Sequence, residues 1–130
     1  YLGSLRYMPQ YRKFHKREEQ SDNETHSIIN AALKYMEENI EQSITLHDLA
    51  GYTGYSNSHF SAIFKGATGH SPLGYFNKLK IKKACELLDT TDMKINQISY
   101  KMGFEDSFYF SRLFSKIVGI SPKKYRESKK

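Results

Sequence analysis

Apolar residues recur along this chain at helical spacing, in runs broken by glycine and proline. Ile28, Ile29, Ala32, Leu33 and Met36 follow a 3.6-residue stripe, with Glu24, Asn30, Lys34, Glu37 and Glu38 on the opposite face. Ser21 and Glu24 have capping-box spacing, which predicts a helix from about Ser21 to about Asn39. Thr45 and Asp48 predict a second cap, and Leu46, Leu49 and Ala50 give the short helix that follows its buried side. Gly54 marks a turn. Ser56 then caps a third helix with Phe60, Ile63, Phe64 and Ala67 inward, and Gly69 stops it. Pro72 opens a longer helix to about Asp89, packed through Leu79, Ala84, Leu87 and Leu88. Asp92 or Lys94 starts a fifth helix carrying Ile95, Ile98 and Met102, and Gly103 makes the next turn. A sixth runs from about Asp106 to Val118 with Phe110, Leu113, Phe114 and Ile117 inward. Pro122 through Arg126 form a last short one. No segment alternates as a strand would, so the fold is expected to be all-α.

The chain repeats itself. Leu46, Leu49, Gly54 and Tyr55 match Ile95, Ile98, Gly103 and Phe104 at an offset of 49. After one inserted residue the offset is 50, and Phe60, Ser61, Phe64, Gly69, Pro72 and Tyr75 match Phe110, Ser111, Phe114, Gly119, Pro122 and Tyr125. Chance does not keep glycine, proline and core aromatics in step over such a length. Each copy is a short helix, a glycine turn and a longer helix, the plan of a helix-turn-helix unit. In that plan the second helix enters the major groove of DNA N-terminus first. The intervening helix, at ~1.5 Å per residue, spans roughly 27 Å, against about 34 Å between successive groove faces. It is long enough to hold both second helices on one side of a duplex.

Charge agrees with an anionic partner. The chain of 130 residues carries a formal charge of +6 with a pI near 9.3. The charge is uneven: residues 1–64 hold 6 basic and 8 acidic side chains, residues 65–130 hold 14 and 6. Residues 1–20 show no clean period, are rich in Tyr and Arg, and read as a linker or the end of an upstream domain, or else as a basic arm on DNA. Tyr1 in place of Met suggests a piece of a longer protein. One cysteine, Cys85, allows neither an internal disulfide nor a zinc cluster and suits a reducing cytosol. His15, His26, His47, His59 and His70 share no spacing that would suggest a metal site or a catalytic base. There is no nucleophile–base pair and no phosphate loop, so neither an enzyme nor a cofactor is expected. No run of about 18 apolar residues exists to span a membrane.

Ala84, Leu87, Leu88, Thr91, Ile95, Ile98, Gly103, Phe104, Phe110, Arg112, Phe114, Gly119, Ser121, Pro122, Tyr125 and Arg126 together resemble the AraC/XylS family of bacterial transcription regulators. The resemblance covers about residues 25–126. It implies a seven-helix domain of two helix-turn-helix subdomains joined by a central linker helix. The boundaries read as 1–22 for the linker or upstream end, 23–126 for the DNA-binding domain and 127–130 for a basic tail. Within the domain, 23–70 is the first subdomain, 71–90 the linker helix and 91–126 the second. The resemblance also implies promoter binding, activation through RNA polymerase, a separate sensing or dimerising domain, and a bacterial cytoplasmic setting. The isolated domain is expected to be monomeric. Departures are Ser99, where the family favours Ala, Ser115, where it favours Lys, and Lys80, in place of a common Arg.

By family position the groove-facing residues of the first reading helix are Asn57, Ser58, Ser61, Ala62 and Lys65. Most are small and offer short contacts to a thymine methyl or a phosphate, while Lys65 suits phosphate. His59 either touches DNA or caps and packs. In the second reading helix the exposed set is Asp106, Ser107, Phe108, Tyr109, Ser111 and Arg112, with Lys116 a turn further on. Arg112 is suited to guanine or phosphate, or to a salt bridge with Asp106 or Glu105. Phe108 and Tyr109 either press on thymine methyls and the sugar backbone, or one of them belongs to the core. Lys78, Lys80, Lys82, Lys83, Lys101, Lys116, Lys123 and Lys124 make a diffuse basic coat, expected to be solvated and partly near phosphate. Glu37, Glu38 and Glu41 are expected to face away from DNA. A protein adaptor that keeps the fold without reading DNA, and a shape-reading architectural DNA binder, are the competing functions.

Overall fold

The computed structural model describes residues 16–128, with side chains from Asn23 onward. They form seven helices and no strand: α1 (Lys16–Glu38), α2 (Leu46–Thr53), α3 (Asn57–Thr68), α4 (Pro72–Thr90), α5 (Ile95–Lys101), α6 (Ser107–Val118) and α7 (Pro122–Ser128). The expected all-α, seven-helix plan is therefore present. Residues 1–15, including most of the basic arm, lie outside the described part. One boundary is corrected. α1 begins at Lys16, so Ser21 sits inside the helix and does not cap it. The run from Lys16 to Glu24 has no glycine or proline and is rich in Lys, Arg, Glu and Gln, all good helix formers.

The chain divides into two compact units. Of the described residues, one takes α1 and Ile44–Gly74, the other Asn39–Ser43 and those from Tyr75 to Ser128. In the first unit α1, α2 and α3 pack on one another and bury Ile28, Ile29, Ala32, Met36, Leu49, Ala50, Phe60 and Phe64. In the second, Ile81, Ala84, Leu88, Ile98, Met102, Phe104, Phe110 and Phe114 form one apolar cluster. The buried face of α4 differs from the expected one. Phe76, Ile81, Ala84 and Leu88 are buried, whereas Leu79 and Leu87 are only partly so.

The repeat is visible bond by bond. In α2 the Thr45 amide donates to Asp48 Oδ2 at 2.9 Å and the Asp48 amide to Thr45 Oγ1 at 3.0 Å. These Thr45 contacts hold the Asp48 carboxyl below its usual value. At the matching place before α5, the Lys94 amide donates to Gln97 Oε1 at 2.9 Å. Ser56 Oγ accepts from the His59 amide at 3.2 Å at the start of α3, and Asp106 Oδ1 accepts from the Phe108 and Tyr109 amides at 2.9 and 3.3 Å at the start of α6. Each of these bonds satisfies a helix-end amide that has no partner within the helix. In the two cores the Phe60–Phe64 rings lie 5.7 Å apart and the Phe110–Phe114 rings 6.0 Å apart.

Candidate nucleic-acid interface

Each unit holds its second helix out by the same turn. After α2 the Tyr55 amide donates to the Ala50 carbonyl at 3.2 Å; after α5 the Phe104 amide donates to the Ser99 carbonyl at 3.0 Å. Gly54 and Gly103 make these turns at φ 87° and 85°, in the left-handed region open to glycine. The aromatic residue after each turn then braces the exposed helix. The His59 ring stands edge-on to Tyr55 at 5.0 Å and 82°, and the Tyr109 ring lies 6.1 Å from Phe104 at 50°.

Along α3, Asn57, Ser58, His59, Ala62 and Lys65 are exposed and Ser61 is half-buried. Along α6, Phe108, Tyr109, Arg112 and Lys116 are exposed, and Ser107 and Ser111 are half-buried. Phe108 is 76% exposed, whereas Tyr109, at 45%, leans on Phe104. His59 likewise keeps an exposed edge while packing on Tyr55. Asp106 uses its carboxylate on the α6 amides.

The basic coat is thinner than the sequence suggests. Lys83 sits 3.7 Å from Glu86, and Lys101 sits 3.2 Å from Glu41, so Glu41 faces a lysine of its own chain. Lys80 is not part of the coat at all. It is 3% exposed, and its ammonium donates to the carbonyls of Ile40 at 2.8 Å, Gln42 at 2.6 Å and Met102. Its Nζ lies 4.6 Å from the Phe76 ring centre and 5.6 Å from that of Phe104. Desolvation pushes its pKa down to about 8, with Glu41 pulling the other way. Lys80 thereby ties the end of α5 and the 39–43 segment to α4, and so positions the turn that presents α6. Arg126 on α7 donates to the Leu88, Met93 and Thr91 carbonyls at 3.3, 2.6 and 3.0 Å, and so ties α7 to the end of α4 and the segment before α5. Neither role was evident in the sequence. The signal lay in the four-residue spacing of Phe76, Lys80, Ala84 and Leu88, which puts Lys80 on the buried stripe.

Residues 49–128 match the family model described as a helix-turn-helix domain. A crystal structure of a Chromobacterium violaceum transcriptional regulator, described as an AraC-type DNA-binding-domain protein, superposes with a TM-score of 0.75 at 30% identity, covering 81% of this chain and 94% of that one. The chain belongs to the AraC family of helix-turn-helix regulators. Among AraC-family relatives, the HTH-type transcriptional activator AarP of Providencia stuartii is 34% identical over 78% of this chain and 76% of its own length. The MmsAB operon regulatory protein of Pseudomonas aeruginosa is 42% identical over 72% of this chain, but over only 30% of its own length. The chain thus spans about a third or less of several of the curated AraC-family relatives it matches. The family consists of transcription regulators, not enzymes. Among the described residues no helix is long and apolar enough to cross a membrane.

Proposed function

We propose that this chain is the sequence-specific DNA-binding part of a bacterial transcription regulator, an activator, and that α3 and α6 are its reading helices. The observation that carries this is the repeated presentation. Two helix-turn-helix units each turn a capped helix outward, with mostly small or polar side chains on the free face of α3 and aromatic and basic ones on that of α6. Asn57, Ser58, His59, Ser61, Ala62 and Lys65 form the contact set of α3. Ser107, Phe108, Tyr109, Ser111, Arg112 and Lys116 form that of α6. Arg112 supplies the strongest readout, since its planar fork matches guanine or phosphate oxygens.

Double-stranded promoter DNA is the partner, read as two blocks in successive major-groove segments. The domain occupies 23–126, with 71–90 as linker helix. Contact with RNA polymerase, a monomeric isolated domain, a separate upstream sensing or dimerising domain and a cytoplasmic setting complete the proposal. The activator name of the Providencia relative supports the polymerase contact, and the greater length of the Pseudomonas one supports a separate domain.

The test is selection of bound duplexes from a random pool at about 150 mM salt, with the wild type beside Arg112→Ala. A motif of two blocks about one helical turn apart, one of them blurred in the variant, is the expected result. Binding that follows salt alone and selects no motif would replace this function with an architectural one. No duplex binding at moderate salt would favour an adaptor.

A further inference from the structure

The internal repeat is a control for what an outward-facing helix needs in order to fold. Residues four apart share a helix face. Along α3 one exposed row reads Ser58, Ala62, Gly66; the matching row of α6, at the offset of 50, reads Phe108, Arg112, Lys116. Behind these rows the two units are alike, with paired phenylalanines, the same turn and a capped first residue. A unit of this kind therefore folds with nothing larger than a serine on that row. The bulk on α6 is not a packing requirement. A lone exposed phenylalanine is ordinary on a protein surface. Phe108 differs by its place, being the second residue of the outward helix and in line with two cations.

A row that begins with an apolar ring and continues with a guanidinium and an ammonium matches one kind of surface. The cations suit base oxygens and phosphates. The ring suits the only apolar group that a base edge shows in the major groove, the C5-methyl of thymine. We infer that Phe108 is a specificity-determining residue that packs on a thymine methyl within the block read by α6. This rests on the reading of α6 as a DNA-reading helix. Four residues along a helix rise about 6 Å, against about 3.4 Å per base pair, so the thymine lies within about two base pairs of the group that Arg112 engages. The matching α3 position, Ser58, has no such ring, so the two blocks are read by different chemistry.

Replacing thymine by deoxyuridine deletes that methyl and nothing else. The experiment takes a duplex selected by the whole chain and exchanges its thymines for deoxyuridine one at a time. Affinities are then measured for the wild type, Phe108→Ser and Phe108→Leu. One position in the α6 block should lose about fourfold in the wild type, the worth of one buried methyl. Phe108→Ser should bind the thymine and uracil duplexes equally, and Phe108→Leu should keep part of the preference. Far-UV circular dichroism checks that the variants stay helical. Equal wild-type affinity for every exchanged duplex overturns the assignment, as does an undiminished thymine preference in Phe108→Ser. Both results leave the DNA-binding function standing. Failure to select any motif removes the function and the assignment together.

Discussion

Two buried polar side chains in the second unit meet opposite fates. Ser99 is fully buried and its hydroxyl has no hydrogen-bond partner among the described residues. Its counterpart in the first unit is Ala50, buried in the same place on α2. The hydroxyl therefore costs desolvation and gains nothing in return. Ser99→Ala should stabilise the chain by about 1 kcal/mol, seen as a rise of a few degrees in the thermal midpoint. Lys80 is equally hidden but has three carbonyls for its protons. Lys80→Met would strand all three and should cost about 3 kcal/mol in urea unfolding. The sign of its pH effect follows from its pKa. The folded lysine titrates at about 8, below its ordinary 10.5, so between those values the unfolded chain holds more proton. Wild-type stability should rise relative to Lys80→Met from about pH 8 to about pH 10.5. A gap that narrows over that range would refute the assignment of this window to Lys80.

At the scale of elements, the legible features were the local ones. Thr45 with Asp48, Ser56, Asp106 and the glycine turns act within a few residues of themselves, so spacing reveals them. The start of α1 was missed because Ser21 mimics a cap inside a run of helix formers. The buried face of α4 was misjudged because Lys80 looks like solvent-facing charge, and its partners lie 22 to 40 residues away in the chain. On the reading face, the stand-off between Phe108 and Tyr109 needed the structure: the sequence showed two aromatics side by side, and only the bracing ring of Phe104 tells them apart. The two turns also differ in a way no motif shows. A Cβ on Gly54 meets nothing, whereas one on Gly103 lies 3.0 Å from the Gln42 carbonyl and from Lys80 Nζ. Gly54→Ala should cost about 1 kcal/mol of left-handed strain. Gly103→Ala should cost about 1 kcal/mol more, because backbone must move as well. Equal costs in chemical denaturation would mean that the Gly103 turn is not tightly held.

For the whole molecule, the formal charge of +6 overstates what a duplex would meet, because lysines of the same chain are spent in different ways. Lys80 faces carbonyls, Lys101 faces Glu41 and Lys83 faces Glu86, whereas Lys116 stands exposed on the reading row of α6. An exposed ion pair adds little to stability, but its carboxylate partly offsets the attraction of its lysine for phosphate. Each phosphate neutralised releases counterions, so the logarithm of affinity falls with the logarithm of salt at a slope set by the number of such contacts. Removing one phosphate-gripping lysine lowers that slope by about 1 and weakens binding to all sequences alike. Lys116→Ala should do this, while Lys101→Ala should leave the slope nearly unchanged, since Lys101 already faces Glu41 and not a phosphate. Titrations of one selected duplex and one random duplex, from about 50 to about 200 mM salt, separate the two variants. If both lysines change the slope equally, the charge acts as a diffuse cloud and position on the fold does not matter. If only Lys116 does, the cationic field is concentrated on the face that carries Phe108 and Arg112, and attraction and readout belong to one surface.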